Sequence, residues 1–210
     1  MKTYWDRLHK LYTKEDWINR PTLFAQWVIK YFPPSGHILD IGGGQGQDAI
    51  YFSGKGYQYT LTDISKTGLD YARKKIPNNM KNRIKLVKHD VANPLPFNKE
   101  IFDIVYSHLS LHYFDKKTTK KIFSQIYKVL KPHGFIAIML NSTKDPEYGQ
   151  GKKLEQDFYQ IGEITKRYFS PKSIKEFVQP YHTIMLDNRG ETYKDRRIGV
   201  HNLIRFVGKK

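Results

Sequence analysis

Two periods alternate along this chain. After a helical preface, apolar runs of strand length take turns with stretches whose hydrophobic positions recur at helical spacing. The preface has an amphipathic stretch near residues 4–12. A second helix opens at Pro21, where Leu23, Phe24, Trp27, Val28 and Tyr31 share a face until Pro33-Pro34 stops it. The first strand, His37–Ile41, breaks into Gly42-Gly43-Gly44-Gln45-Gly46. A short helix follows with Ala49, Ile50 and Phe52 inward, ended by Gly54 and Gly56. Residues 57–62 form a second strand ending at Asp63, and Ser65 is placed to cap a helix with Leu69, Ala72 and Ile76 on one face.

Ile84–Lys88 reads as a third strand and 102–107 as a fourth. Asp115 caps a helix carrying Ile122, Ile126, Val129 and Leu130, and Lys-Pro-His-Gly at 131–134 ends it before a strand at 135–140. Ser170-Pro171 opens one more helix with Ile174, Phe177 and Val178 inward. Strands at 183–186 and 203–207 close the chain with no helix between them, so they pair as an antiparallel hairpin at one edge. Repeated strand–helix alternation predicts an α/β fold: a doubly wound, Rossmann-like, mainly parallel seven-stranded sheet with an antiparallel C-terminal hairpin. The expected organisation is one domain over 1–210, with residues 1–35 as a helical preface. Residues 141–169 have the length of a lid or cap and resist assignment.

Composition narrows the class without naming it. Hydrophobic residues at 39% and charged residues at 27% suit a globular fold better than a disordered one. The charged start has no secretory h-region, and the apolar run at 135–140 is far short of the roughly 20 residues that cross a bilayer. Cysteine is absent, which excludes disulfides, thiolate metal sites and a cysteine nucleophile and fits a reducing cytoplasm. A formal charge of +16 raises the question of a polyanionic partner. The basic pairs Lys74-Lys75, Lys116-Lys117, Lys120-Lys121, Arg196-Arg197 and Lys209-Lys210 are scattered, however, as on a solvated lysine-rich surface.

Chemistry gathers where a doubly wound sheet binds ligands, at the carboxyl ends of its strands. Asp40 and the glycine turn follow the first strand, Asp63 the second and Asp90 the third. Glycines let backbone N–H groups approach a ligand, and Asp63 stands about 20 residues beyond Gly42, where a carboxylate receives a ribose diol. Gly44-Gln-Gly46-Gln-Asp-Ala49 also satisfies the dinucleotide pattern, so a nicotinamide-dependent oxidoreductase is the natural rival. Tyr71/Lys75 and Tyr127/Lys131 mimic a reductase pair, but both lie inside crossover helices, facing away from a cofactor.

The motifs together resemble the class I S-adenosylmethionine-dependent methyltransferases over residues 36–140. ILDIGGGQG at 38–46 is similar to that family's first motif, TLTDIS at 60–65 to the second and HDVANPLPF at 89–97 to the third. FDIVYSHLSLHYF at 102–114 resembles the fourth, and KVLKPHGFIAIM at 128–139 the fifth-strand signature. The resemblance implies S-adenosylmethionine as cofactor. In it, Gly42, Gly44 and Gly46 would back the methionine part and Asp40 would orient its amino-acid end. Asp63 would hold the ribose hydroxyls and Ile64 lie against the adenine. Asp90 and the Val91 backbone would meet the adenine edge, and the Ser107-His108 backbone would receive the ammonium group.

Methyl transfer from a sulfonium draws much of its rate from proximity and desolvation, so a dedicated base is optional. His108, His112 and Tyr113, just after the fourth strand, are the catalytic candidates, since a histidine takes protons near neutral pH. The two histidines at i, i+4 have no third metal ligand in view. Tyr4, Trp5, Tyr148 and Tyr159 are candidate lid residues. The fourth motif lacks the Asn/Asp-Pro-Pro-Tyr/Phe segment of nucleobase amine methylation, and WDRLHKLY at 5–12 with DPEYGQGKK at 145–153 is reminiscent of small-molecule and tellurite-resistance-type methyltransferases. A small-molecule acceptor is therefore the expectation. An RNA-directed enzyme and a non-catalytic cofactor-binding subunit stand as alternatives.

Overall fold

Strand β1 (His37–Ile41) is buried on both faces, which suits the interior of a sheet covered on both sides. The computed structural model describes residues 1–193 and 201–210, and the Arg196-Arg197 pair lies outside them. Strands β2 (Gln58–Asp63), β3 (Ile84–Lys88), β4 (Phe102–His108) and β5 (Leu130–Leu140) join β1 in parallel. Three short strands within 141–169 stand apart in a sheet of their own. The last two, β9 (His182–Glu191) and β10 (His201–Lys209), complete a seven-stranded sheet of order β3-β2-β1-β4-β5-β10-β9, with β10 antiparallel to both neighbours. The mainly parallel sheet and its edge hairpin match the sequence expectation.

Alternation along the strands fills two core layers. Leu39, Ile41, Val105, Ile136 and Ile138 pack under helices α5 (Lys116–Val129) and α6 (Lys175–Val178). Ile38, Ile104, Tyr106, Ala137 and Met139 point the other way, to α2 (Leu23–Val28), α3 (Gln47–Gly54) and α4 (Lys66–Lys75). Helix α1 (Lys2–Tyr12) lies outside both layers against α4. Ser65 and Asp115 cap α4 and α5 as expected, accepting from Gly68 N at 3.0 Å and Thr118 N at 2.6 Å. Helix α2 starts later than Pro21 because Thr22 is its N-cap. Asp48 on α3 holds that residue, accepting from Thr22 N (2.7 Å), Thr22 Oγ1 (2.9 Å) and Tyr106 OH (2.8 Å).

Two other boundaries move for local reasons. Ser170 and Ser173 bond each other's backbone N–H groups, holding 170–173 in a turn so that α6 begins at Lys175. Strand β5 runs back to Leu130, the Lys-Pro-His-Gly segment forming an irregularity opposite Phe102–Ile104 in place of a clean helix stop. Residues 141–169 carry an antiparallel sheet of their own: β6 (Lys152–Glu155), β7 (Phe158–Ile161) and β8 (Ile164–Arg167). Tyr148, Tyr159 and Tyr168 meet edge to face beside it. It is tied to the segment after β4 by Arg167 N to His112 O (2.7 Å) and Thr165 Oγ1 to Tyr113 O (2.7 Å). An exposed Arg7–Glu163 pair (2.9 Å) reaches α1.

Candidate active site

The strand order reverses between β1 and β4, and the turn after β1 opens a crevice there. Gly42 N and Gly43 N both donate to Thr62 O, at 2.8 and 3.1 Å, folding the chain back across the end of β2. Gly42 has φ +79°, a left-handed conformation that a Cβ disfavours, and a Cβ there would overlap the Ser110 side chain. The turn forms one wall of a cavity of about 240 Å3. The ends of β2 and β3 contribute Asp63, Ile64, Asp90 and Val91; His108 ends β4 and Tyr113 follows it. Trp5, His9, Tyr12 and Trp17 of the N-terminal segment cover it.

Eight of the residues singled out in the sequence thus share one cavity: Gly42, Gly44, Asp63, Ile64, Asp90, Val91, His108 and Tyr113. Asp63 sits at its floor. Its Oδ2 accepts from Gly44 N (2.9 Å) and its Oδ1 from Ser65 N (2.7 Å). Burial pushes this carboxyl upward against the pull of His9 and the two N–H donors. Asp90 Oδ1 accepts from Ala92 N at 3.0 Å, and the neighbouring His89 Nε2 is buried without a protein partner. His108 stacks on Phe24 at 6.3 Å, and Tyr113 meets Trp5 edge to face at 5.1 Å. Burial raises the Tyr113 phenol well above its ordinary range, so it offers a neutral O–H rather than a phenolate.

Four expected residues lie elsewhere. Asp40 sits beneath the turn, not in the cavity, because strand alternation points it to the α2–α4 side, where Tyr59 OH donates to its Oδ2 at 2.9 Å. Burial, with Asp48 and Asp63 near, pushes its carboxyl well up. Gly46 N-caps α3 and faces Ala72 of α4. Ser107 is buried, donating to Ile41 O at 3.0 Å and tying β4 to β1. His112 is buried 4.3 Å from the Tyr113 ring and beside β8, outside the cavity lining, and burial drives it down to about 3. A ring so placed holds structure and is a poor proton acceptor at neutral pH.

That depression gives a testable acid sensitivity. The folded state disfavours protonated His112, while the unfolded chain takes the proton near 6.5, so its effect is absent above pH 6.5 and grows as pH falls toward 3. Each pH unit in this window costs up to about 1.4 kcal/mol. Urea unfolding should show wild type losing roughly 2–3 kcal/mol more than His112→Gln between about pH 6.5 and 4.5. Parallel losses would remove His112 as a source.

The reductase-like pairs are engaged in packing. Lys75 Nζ donates to Gln45 Oε1 (3.0 Å), Lys131 pairs with Asp103 (2.8 Å), and Tyr127 packs on Tyr181. Sequence reasoning missed His9, His89 and Ser110 at the cavity; the available signal for His9 was its place one turn after Asp6 on α1.

A doubly wound α/β domain with a carboxylate-floored crevice at its switch point is what the fold and site define. Residues 38–134 match the family model described as a methyltransferase domain. The match and the sheet order together support a methyltransferase domain of the class I S-adenosylmethionine-dependent type. It is 34% identical over 158 residues to the ubiquinone/menaquinone biosynthesis C-methyltransferase UbiE of Wigglesworthia glossinidia brevipalpis, covering 70% of this chain and 60% of that one. It is 30% identical over 156 residues to the tRNA 5-carboxymethoxyuridine methyltransferase of Escherichia coli, covering 71% and 58%. The chain spans about half the length of other curated methyltransferases it matches. The crystal structure of Burkholderia thailandensis 1,6-didemethyltoxoflavin-N1-methyltransferase shares the fold, with TM-score 0.74 at 16% identity over 99% of this chain and 84% of that one. These matches support the class and leave its branches, the tellurite-resistance type included, undivided.

The residues present fit S-adenosylmethionine. The bare glycine turn leaves space beside Asp63, the apolar Ile64 and Val91 lie next to Asp90, and a buried His89 nitrogen awaits a partner. Among the described residues no helix is long and apolar enough to cross a membrane, and no three His, Asp or Glu side chains gather as metal ligands.

Proposed function

We propose that this protein transfers the methyl group of S-adenosylmethionine to a small-molecule acceptor by in-line displacement. The observation that carries the reading is one cavity with two unlike sets of lining residues. The glycine turn, Asp63 and Asp90 form the first; the second is Trp5, Tyr12, Trp17 and Tyr113, with Trp5–Tyr113 and Tyr12–Trp17 each in edge contact at 5.1 Å. Asp63 holds the ribose hydroxyls, Ile64 and Val91 flank the adenine, and Asp90 takes its edge. The backbone of the turn backs the methionine portion, with Asp40 setting the turn from below. Bound there, the cofactor supplies an electrophilic methyl group on a good leaving group. The aromatic walls exclude water and hold a flat, largely apolar acceptor in line with it. His108 receives the acceptor's proton where one is lost, and Tyr113 donates a hydrogen bond.

The Escherichia coli relative is named for tRNA and the Burkholderia neighbour for a small molecule; the covered, aromatic-walled cavity supports the small-molecule reading here. We place this activity in the cytoplasm, as the lack of cysteine suits. The chain of 210 residues is read as one catalytic unit, with 141–169 as its cap.

A thermal-shift screen tests the cofactor. S-adenosylhomocysteine should raise the melting temperature selectively, by about 2.7 kcal/mol of added stability at a hundredfold excess over Kd, while NAD and NADP leave it unchanged. A rise with NAD alone would sink the reading. Acceptor binding should change little between 50 and 200 mM salt, whereas an RNA acceptor would lose affinity steeply.

A further inference from the structure

Two residues of α1 that the proposed function does not use stand beside the cofactor site: Asp6 docks the helix on α4, and His9 lines the cavity. Asp6 Oδ1 accepts from Ser65 Oγ (2.6 Å) and Thr67 N (3.1 Å), docking α1 on the start of α4; these bonds, with Lys2 nearby, hold its carboxyl down at about 2 despite burial. One turn on, His9 is 7% exposed and lines the cavity. It lies in a slot between two glycines: a Cβ on Gly44 or on Gly68 would come within 2.9 Å of it. His9 O accepts from Gln45 Nε2 at 2.8 Å, so the glycine turn itself grips the same residue. Asp63 joins the two sides of that slot, binding Gly44 N on one and Ser65 N on the other.

A slot made by two absent side chains, closed over a carboxylate, holds an imidazole whose Nδ1 is buried and has no protein partner. A buried polar atom without a partner is costly, and a ligand that supplies one recovers that cost. We propose that His9 is a cofactor-binding residue that closes the sugar subsite opposite Asp63, its ring bonding a ribose hydroxyl so that docking of α1 and retention of the cofactor become one event. The inference rests on the reading that Asp63 holds the ribose. It adds that the sugar is gripped from two sides, one of them carried by a helix outside the sheet layers.

The test crosses protein variant with ligand variant. Wild type, His9→Phe and His9→Asn are titrated by calorimetry with S-adenosylhomocysteine and with its 2′,3′-dideoxy analogue, which lacks the hydroxyls. Expected are a loss of roughly ten- to hundredfold in affinity of His9→Phe for S-adenosylhomocysteine, little change for the dideoxy analogue, and partial recovery in His9→Asn, which keeps hydrogen-bonding groups. Equal losses for both ligands, or none for either, would overturn the proposal by reducing His9 to packing. If His9→Phe fails to fold, the same comparison is read from His9→Asn, which should retain part of the wild-type discrimination between ligands; full retention or complete loss would count against the proposal. Failure of wild type to bind S-adenosylhomocysteine at all would instead overturn the cofactor reading beneath it.

Discussion

Asp63→Ala is expected to weaken S-adenosylhomocysteine binding by about 1.5–3 kcal/mol, roughly ten- to hundredfold. The carboxylate is already bonded to Gly44 N and Ser65 N, but each oxygen carries two lone pairs, so capacity remains for a diol. Truncation removes the ligand's acceptor and orphans both N–H groups. A second loss of about 1–3 kcal/mol should therefore appear in unfolding free energy. Asp63→Asn separates the two, since its one remaining oxygen serves either the turn or the sugar with less strength. Calorimetry well below the melting temperature reads affinity, and urea unfolding reads stability. Unchanged affinity in Asp63→Ala would remove the ribose assignment even if stability fell.

Gly42→Val should destabilise the fold by roughly 2–5 kcal/mol and abolish measurable cofactor binding. Two effects add: a β-branched residue at φ +79° is sterically disfavoured, and its side chain must displace Ser110. Ser110 is no free neighbour, because with Ser107 Oγ donating to Ile41 O the Ser110 Oγ donates to Ser107 Oγ at 2.6 Å and lies against Ile41 O as well. Moving it loosens the join between β1 and β4 at the crevice. Urea midpoints with an unchanged m-value would report the loss of stability. Wild-type stability with intact binding would show that the turn tolerates a side chain.

The elements with strong local chemistry were legible in the sequence. Strands β1 and β3 begin and end where the apolar runs do, and Ser65 and Asp115 cap their helices, because these features depend on near neighbours. Residues 141–169 were not legible: three strands of four residues each are too short to show a period, and every residue of β6 is exposed. His108 and His112 look equivalent in sequence, but Leu109, at φ +56°, turns the chain between them. One ring stays at the cavity while the other goes under β8. Asp40 was readable by alternation with Ile38, whereas the slot that receives His9 depends on two glycines far apart in sequence.

The buried carboxyl of Asp48 has a consequence for the first thirty residues. It anchors Thr22 through two interior hydrogen bonds at the root of α2 and takes a third from Tyr106 of β4, while α1 is held separately, by the Asp6 bonds to α4, the buried His9 and the Trp5–Tyr113 ring contact. Residues 13–21, with Ile18 buried among them, link these two moorings, so the cover over the cavity is fixed at both of its ends.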